Sequence, residues 1–137
     1  MNAKERYEGI QTVFENAGKS ACLFLSLLSI AEEYTGLPVD FIVAYRKCIE
    51  LGLIEKDFFC NDQGKILYEL TGAKWKKTVV KELHDPVPEN MFTIEKWYNP
   101  RTDFTHFKRR TFDTLESSVT VKEGYIKESY CYEVEGK

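Results

Sequence analysis

The sequence lacks the features that mark membrane proteins, nucleic-acid-binding proteins and secreted proteins. Its longest apolar run, residues 21–31, is broken by Ser26 and Ser29 and is shorter than the ~20 residues that cross a bilayer. The 19 basic residues are outnumbered by 22 acidic ones, and the net charge of −3 argues against binding through nucleic-acid phosphates. No apolar segment follows the first residues as it would in a secretory signal. We therefore expect a cytoplasmic protein without membrane or nucleic-acid partners.

Metal-binding and disulfide patterns are also missing. The four cysteines stand far apart at positions 22, 48, 60 and 131, and no two of them form a C-x-x-C pair. Such spacing favours neither a structural zinc site nor a disulfide framework. Cys48 lies among apolar residues at helical spacing, which predicts a place in the core. We expect no metal and no cofactor.

What the sequence does contain is typical of one globular domain. Its 137 residues are 43% hydrophobic and 14% aromatic, which is enough to bury a single core. There is no internal repeat and no low-complexity linker, so residues 1–137 are expected to form a single domain. Helical patterns fill the first half and strand patterns the second half, which predicts an α+β fold.

The helices are predicted from apolar side chains at helical spacing. They cover residues 5–15, 21–34 and 39–51, with a shorter helix over 65–70. The helix over 21–34 is apolar almost all round, which indicates a buried central element. Ser20 is a natural N-cap for it, and Gly36 and Pro38 stop it.

The strands are predicted from runs rich in aromatic and β-branched residues. One hairpin joins residues 103–108 and 111–115 around Arg109-Arg110, and a second joins 119–121 and 125–134 around Glu123-Gly124. Two further strands cover 75–81 and 91–98. Because the connections are too short for crossovers, the sheet is expected to be antiparallel, with the N-terminal helices packed on it.

Cys22 is the first candidate for chemistry. As the second residue of the buried helix, it would lie near unpaired backbone N–H groups and the positive end of the helix dipole, which favour a thiolate. Ser26, Ser29 and Glu33 follow it on the same face, where small side chains would let a strand carrying a base pack closely. The alternative is that Cys22 is simply a small buried hydrophobic residue.

His106 is the matching candidate base. A hairpin centred on Arg109-Arg110 would place it directly across from Asp113, and a carboxylate in that position would orient the imidazole. A three-residue loop would shift this register and leave Asp113 away from the site. The alternative is that His106 is a half-exposed strand residue paired with an acid by chance, and His84 is the substitute base if His106 does not serve.

The order of these residues resembles that of papain-like cysteine peptidases. A cysteine at a helix start is followed by Thr105-His106-Phe107 on a strand and by Asp113 on the next strand. The chain is most similar to compact bacterial and phage members, namely NlpC-type cell-wall endopeptidases and peptidases that process bacteriocin leaders. The segment from Asp113 to Gly124 is similar to uncharacterised phage- or plasmid-borne proteins of this kind. The resemblance covers roughly residues 11–132 and implies a papain-like arrangement of helices and sheet.

The resemblance implies hydrolysis of a peptide or peptidoglycan-type amide bond. Cys22 would be the nucleophile, His106 the base and then the acid, and Asp113 the orienting carboxylate. The backbone N–H of Cys22 and a side-chain amide would bind the oxyanion, with Gln11 slightly favoured over Asn16. Two alternatives stay open. One is a catalytically degenerate papain-like module that binds a peptide or protein partner, and the other is a thiol hydrolase or transferase acting on a small amide.

Overall fold

The computed structural model of the protein describes residues 3–4, 21–81, 91–110 and 118–136, with the backbone alone for 118–120. The helices in these ranges are α1 (Cys22–Thr35), α2 (Phe41–Glu50), α3 (Gln63–Thr71) and α4 (Ser118–Glu123). The strands are β1 (Trp75–Val80), β2 (Phe92–Asn99), β3 (Phe104–Lys108) and β4 (Tyr125–Val134). Three helices therefore precede an antiparallel sheet, which confirms the α+β class.

Helix α1 is the buried central element that its sequence predicts. Its start lies one residue later than expected, so that Cys22 is the first helical residue, after Ala21, which offers no side-chain cap. Gly36 ends the helix in the left-handed conformation, and its N–H donates to the carbonyl of Glu32 at 2.8 Å. Phe24, Leu27 and Ile30 are fully buried between these ends.

Helices α2 and α3 begin at aspartate caps. The Asp40 carboxylate accepts from the Val43 N–H at 2.9 Å, and that of Asp62 accepts from the Lys65 N–H at 3.0 Å. Both helices occur where the sequence predicts them, although α3 is longer than the expected 65–70. Cys48 on α2 is fully buried, as predicted from its apolar neighbours.

The four strands form one antiparallel sheet in the order β1-β4-β2-β3. Strand β4 pairs with both β1 and β2, so the last strand is inserted between the first two. Strand β3 lies at one edge of the described sheet and pairs with β2, which places His106 opposite Trp97. All four strands correspond to strands predicted from the sequence.

One strand prediction was wrong. Residues 119–121 were expected to pair with 125–134 in a hairpin, but they lie in helix α4, and Gly124 leads from that helix into β4. Val119, Thr120 and Val121 are β-branched and favour strands intrinsically, but packing against β2 and β3 overrides this preference. A salt bridge between Arg101 and Glu123 at the end of α4 adds to that packing.

Two further predictions lie outside the described residues, namely the helix over 5–15 and the strand over 111–115. The proposed Ser20 cap lies outside them as well. None of the described helices combines the length and apolarity that a membrane crossing requires.

Edge-to-face aromatic contacts join α1 to the sheet. The Tyr34 ring meets the ring of Trp75 on β1 at 5.0 Å and that of Phe92 on β2 at 6.3 Å. These contacts pack the C-terminal end of α1 against β1 and β2. Cys22 lies at the opposite, N-terminal end of the helix.

Candidate functional site

The structure brings Cys22 and His106 together. The thiol at the start of α1 forms a hydrogen bond with the side chain of His106 on β3, the strand against which α1 packs. His106 is buried, with 6% of its surface exposed, whereas Cys22 is half-buried. A nucleophilic sulfur is thus next to a shielded imidazole while part of its own surface stays accessible.

Opposing effects act on the Cys22 thiol, and the pKa is lowered overall. The largest single effect is burial, which raises the pKa by disfavouring the charged thiolate. Hydrogen bonds from the His106 side chain and the backbone of Phe107, the charge of His106 and a backbone hydrogen bond from Leu23 all lower it. Together they outweigh burial, so the site stabilises a thiolate.

The pKa values of the other cysteines move in the opposite direction. Burial raises the pKa of Cys48 to about 11 and that of Cys60 to about 12, and it also raises that of Cys131. No histidine contributes to these shifts. Cys22 is therefore the single described cysteine whose surroundings favour ionisation.

Arg109 links the end of β3 to α1. Its guanidinium forms an ion pair with Glu33 and donates to the Ser29 hydroxyl at 3.3 Å, and its side chain is almost fully buried. Ser29 and Glu33 lie on the helix face that continues from Cys22, where a close approach of a strand was expected. The contact anchors the element that carries His106 to the element that carries Cys22.

Cys22 borders a pocket of about 480 Å³, which we call the Cys22 pocket. Four aromatic residues line it, together with polar residues from the α2–α3 loop, α3 and the sheet. The aromatic residues are Phe58, Phe59, Phe107 and Tyr130, and the polar ones include Asp57, Gln63 and Lys96. The site thus combines a thiol with space for a ligand beside it.

The loop between α2 and α3 forms one wall of the Cys22 pocket. Phe58 in this loop has a φ of +67°, a left-handed conformation that costs energy for a bulky residue. Its buried ring packs against Phe24, Phe41 and Tyr45 at centroid distances of 5.1 to 5.9 Å, which holds the loop in place. The next residue, Phe59, is 65% exposed at the pocket.

Gln63 is a pocket residue that reasoning from sequence missed. It is the first residue of α3, and its side-chain carbonyl accepts a hydrogen bond from the Tyr132 hydroxyl. The sequence signal was only that of a helix start after Asp62, and nothing in the local pattern links this position to Cys22.

Several predicted site residues lie outside the described part of the chain. They are Asp113, Gln11, Asn16 and the substitute base His84. The orienting and oxyanion roles assigned to them stay predictions.

Comparison with known proteins gives no match, whether to a family model, a curated protein or a solved structure. Within residues 21–81, 91–110 and 118–136, no group of three His, Cys, Asp or Glu side chains is arranged to hold a metal ion.

Proposed function

We propose that the protein is a cysteine hydrolase of the papain-like type that cleaves an amide bond in a peptide or peptidoglycan-type substrate. The observation that supports this most directly is the hydrogen bond between Cys22 and His106, with the lowered pKa of the thiol. A thiolate paired with an imidazolium is the reactive state of a cysteine nucleophile. Its place beside an open volume of about 480 Å³ gives a substrate access to it.

The first half of the reaction forms a thioester. The Cys22 thiolate attacks the amide carbonyl carbon, and the carbonyl π electrons move onto oxygen to give an oxyanion. When the oxyanion collapses, the C–N bond breaks, and the leaving amine takes a proton from the His106 imidazolium. The products of this half are the amine and an acyl group on the Cys22 sulfur.

The second half restores the enzyme. Neutral His106 takes a proton from water as the oxygen attacks the thioester, and a second oxyanion collapses to release the Cys22 thiolate. The net reaction consumes one amide and one water and gives one amine and one carboxylic acid. In this proposal Asp113 holds the His106 tautomer, as the resemblance implies.

The walls of the Cys22 pocket favour a chain-like substrate with an apolar side chain near the cleaved bond. Phe59 offers an exposed ring at the pocket, and Tyr130 and Phe107 stack with their ring centroids 5.9 Å apart. Lys96 is paired with Glu128 at 3.3 Å, so its charge is largely balanced. An apolar group that covers these rings would gain hydrophobic stabilisation.

Removing the nucleophile tests the proposal. Cys22→Ala should abolish release of new amino groups from peptide and peptidoglycan-fragment mixtures, followed by mass spectrometry, because no thioester can form. Its thermal unfolding should stay close to that of the wild type, because the residue is small and half-buried. Cys131→Ala removes a thiol that does not border the Cys22 pocket and should keep hydrolysis. Turnover retained by Cys22→Ala would rule out this mechanism.

A further inference from the structure

Attack on a carbonyl is stabilised by hydrogen-bond donors where the oxyanion forms, and Gln63 has a side-chain amide among the residues that line the Cys22 pocket. Gln63 borders the same pocket as Cys22 and is half-buried. Helix α3, which Gln63 begins, packs against α1, which Cys22 begins. The starts of two helices therefore contribute to one pocket.

The orientation of the Gln63 amide is set by Tyr132. The Tyr132 hydroxyl donates to the Gln63 Oε1 atom, and burial raises the pKa of this phenol far above its ordinary value. The phenol thus keeps its proton and remains a donor over the working range of pH. With its oxygen bound, the carboxamide has its Nε2 donors left for another acceptor.

Cys60 interacts electrostatically with both Tyr132 and Cys22. The Tyr132 phenol is influenced by the charge of Cys60, and Cys60 in turn by that of Cys22. Cys60 also borders the Cys22 pocket. Gln63, held by Tyr132, thus lines the same pocket as Cys22 and Cys60.

We propose that Gln63 supplies the side-chain amide that binds the oxyanion, with Tyr132 as a positioning residue that keeps Nε2 directed toward it. This assignment rests on the proposed function, since it requires carbonyl attack by Cys22. Gln11 and Asn16, which lie outside the described residues, stay the alternatives for that role. Together with the Cys22 backbone N–H, it gives the oxyanion two donors.

Two small reagents separate this role from thiol activation. Acylation of Cys22 by p-nitrophenyl acetate passes through an oxyanion, whereas alkylation by iodoacetamide does not. Gln63→Ala and the uncharged Gln63→Met should lower the acylation rate constant by about 10²-fold, the loss seen when one oxyanion donor is removed. Their alkylation rates should stay close to wild type, because the Cys22–His106 pair is intact.

Two further variants sharpen the test. Tyr132→Phe keeps the ring and removes the hydroxyl, and it should lower acylation by roughly 2- to 10-fold while alkylation is unchanged. Asn61→Ala is the matched control, because its amide binds the Gly52 carbonyl and Glu55 instead of bordering the pocket. It should be acylated like the wild type.

The outcomes are distinguishable. No loss of acylation in Gln63→Ala would overturn the assignment, and equal losses of acylation and alkylation would overturn it by showing that Gln63 acts on the thiol and not on the oxyanion; neither result contradicts a Cys22–His106 pair in the wild type. A loss confined to Gln11→Ala would overturn it in favour of Gln11. If wild-type Cys22 reacts only in the pH range of an ordinary thiol, the proposed function itself fails.

Discussion

Cys22 and Cys60 border the same pocket but differ in their electrostatic surroundings. Burial raises the pKa of both thiols, and only Cys22 has an imidazole and backbone hydrogen bonds that reverse the effect. At Cys22 the hydrogen bond and charge of His106, with the backbone hydrogen bonds from Phe107 and Leu23, together outweigh burial, whereas burial dominates at Cys60.

This contrast predicts selective labelling. With pKa values of about 11 and about 12, Cys48 and Cys60 are thiolates in roughly one molecule in 10⁴ and 10⁵ at neutral pH. Limited iodoacetamide treatment at pH 7 should therefore modify Cys22 first, as read by peptide mass mapping. In urea the four cysteines should react at similar rates. Labelling of Cys48 or Cys60 in the folded protein as fast as Cys22 would contradict the assigned environments.

At the residue scale, the sequence could predict Cys22 because a helix start has a known electrostatic effect on a thiol. The sequence could also single out His106, one of only two histidines. Gln63 could not be found in this way, because its relation to Cys22 arises only when α1 and α3 pack together. The same is true of its bond to Tyr132, which comes from the last strand.

At the scale of elements, the junction between α1 and β3 decides whether the site exists. Arg109 is the polar anchor of this junction, through Ser29 and Glu33. Because the Glu33 side chain is 55% exposed, it can return to water when the partner is lost, which limits the cost.

Replacing Arg109 should change the stability of the protein by a measurable amount. Arg109→Ala should lower the free energy of unfolding by about 1–2 kcal/mol in urea denaturation, through lost hydrogen bonds and packing of the buried side chain. Arg101→Ala breaks an exposed pair with Glu123, which solvent screens, and should cost clearly less stability than Arg109→Ala. Equal stability of Arg109→Ala and wild type would show that Arg109 does not anchor the junction.

Local patterns predicted most elements because their periodicity and stop signals agree. Gly36 ends helix α1, and a run rich in aromatic residues indicates strand β4. Both elements were expected close to their observed bounds. The segment 119–121 failed because its β-branched residues favour a strand, whereas tertiary packing makes it helical.

At the scale of the whole molecule, the sheet order could not be read from the sequence. Hairpin signals pair neighbours along the chain, yet β4 lies between β1 and β2. This insertion makes the Tyr132 strand a central one, from which the Tyr132 hydroxyl bonds to Gln63 on α3, while His106 on edge strand β3 bonds to Cys22 on α1. The α+β class follows from the order of patterns, but the site depends on contacts between distant segments.

The central claim is that these distant segments create one activated thiol. It is tested most directly by the rate of Cys22 alkylation by iodoacetamide as a function of pH, in wild type and in His106→Ala. A lowered thiol pKa means that the thiolate persists as pH falls, so the wild-type profile should have its midpoint below the ordinary value of about 8.5. Without His106, the raising effect of burial remains, and the midpoint should move up to the ordinary value or above it. If both proteins instead titrate alike near the ordinary value, the Cys22–His106 pair does not activate the thiol, and a module that binds its partner without turnover becomes the better account.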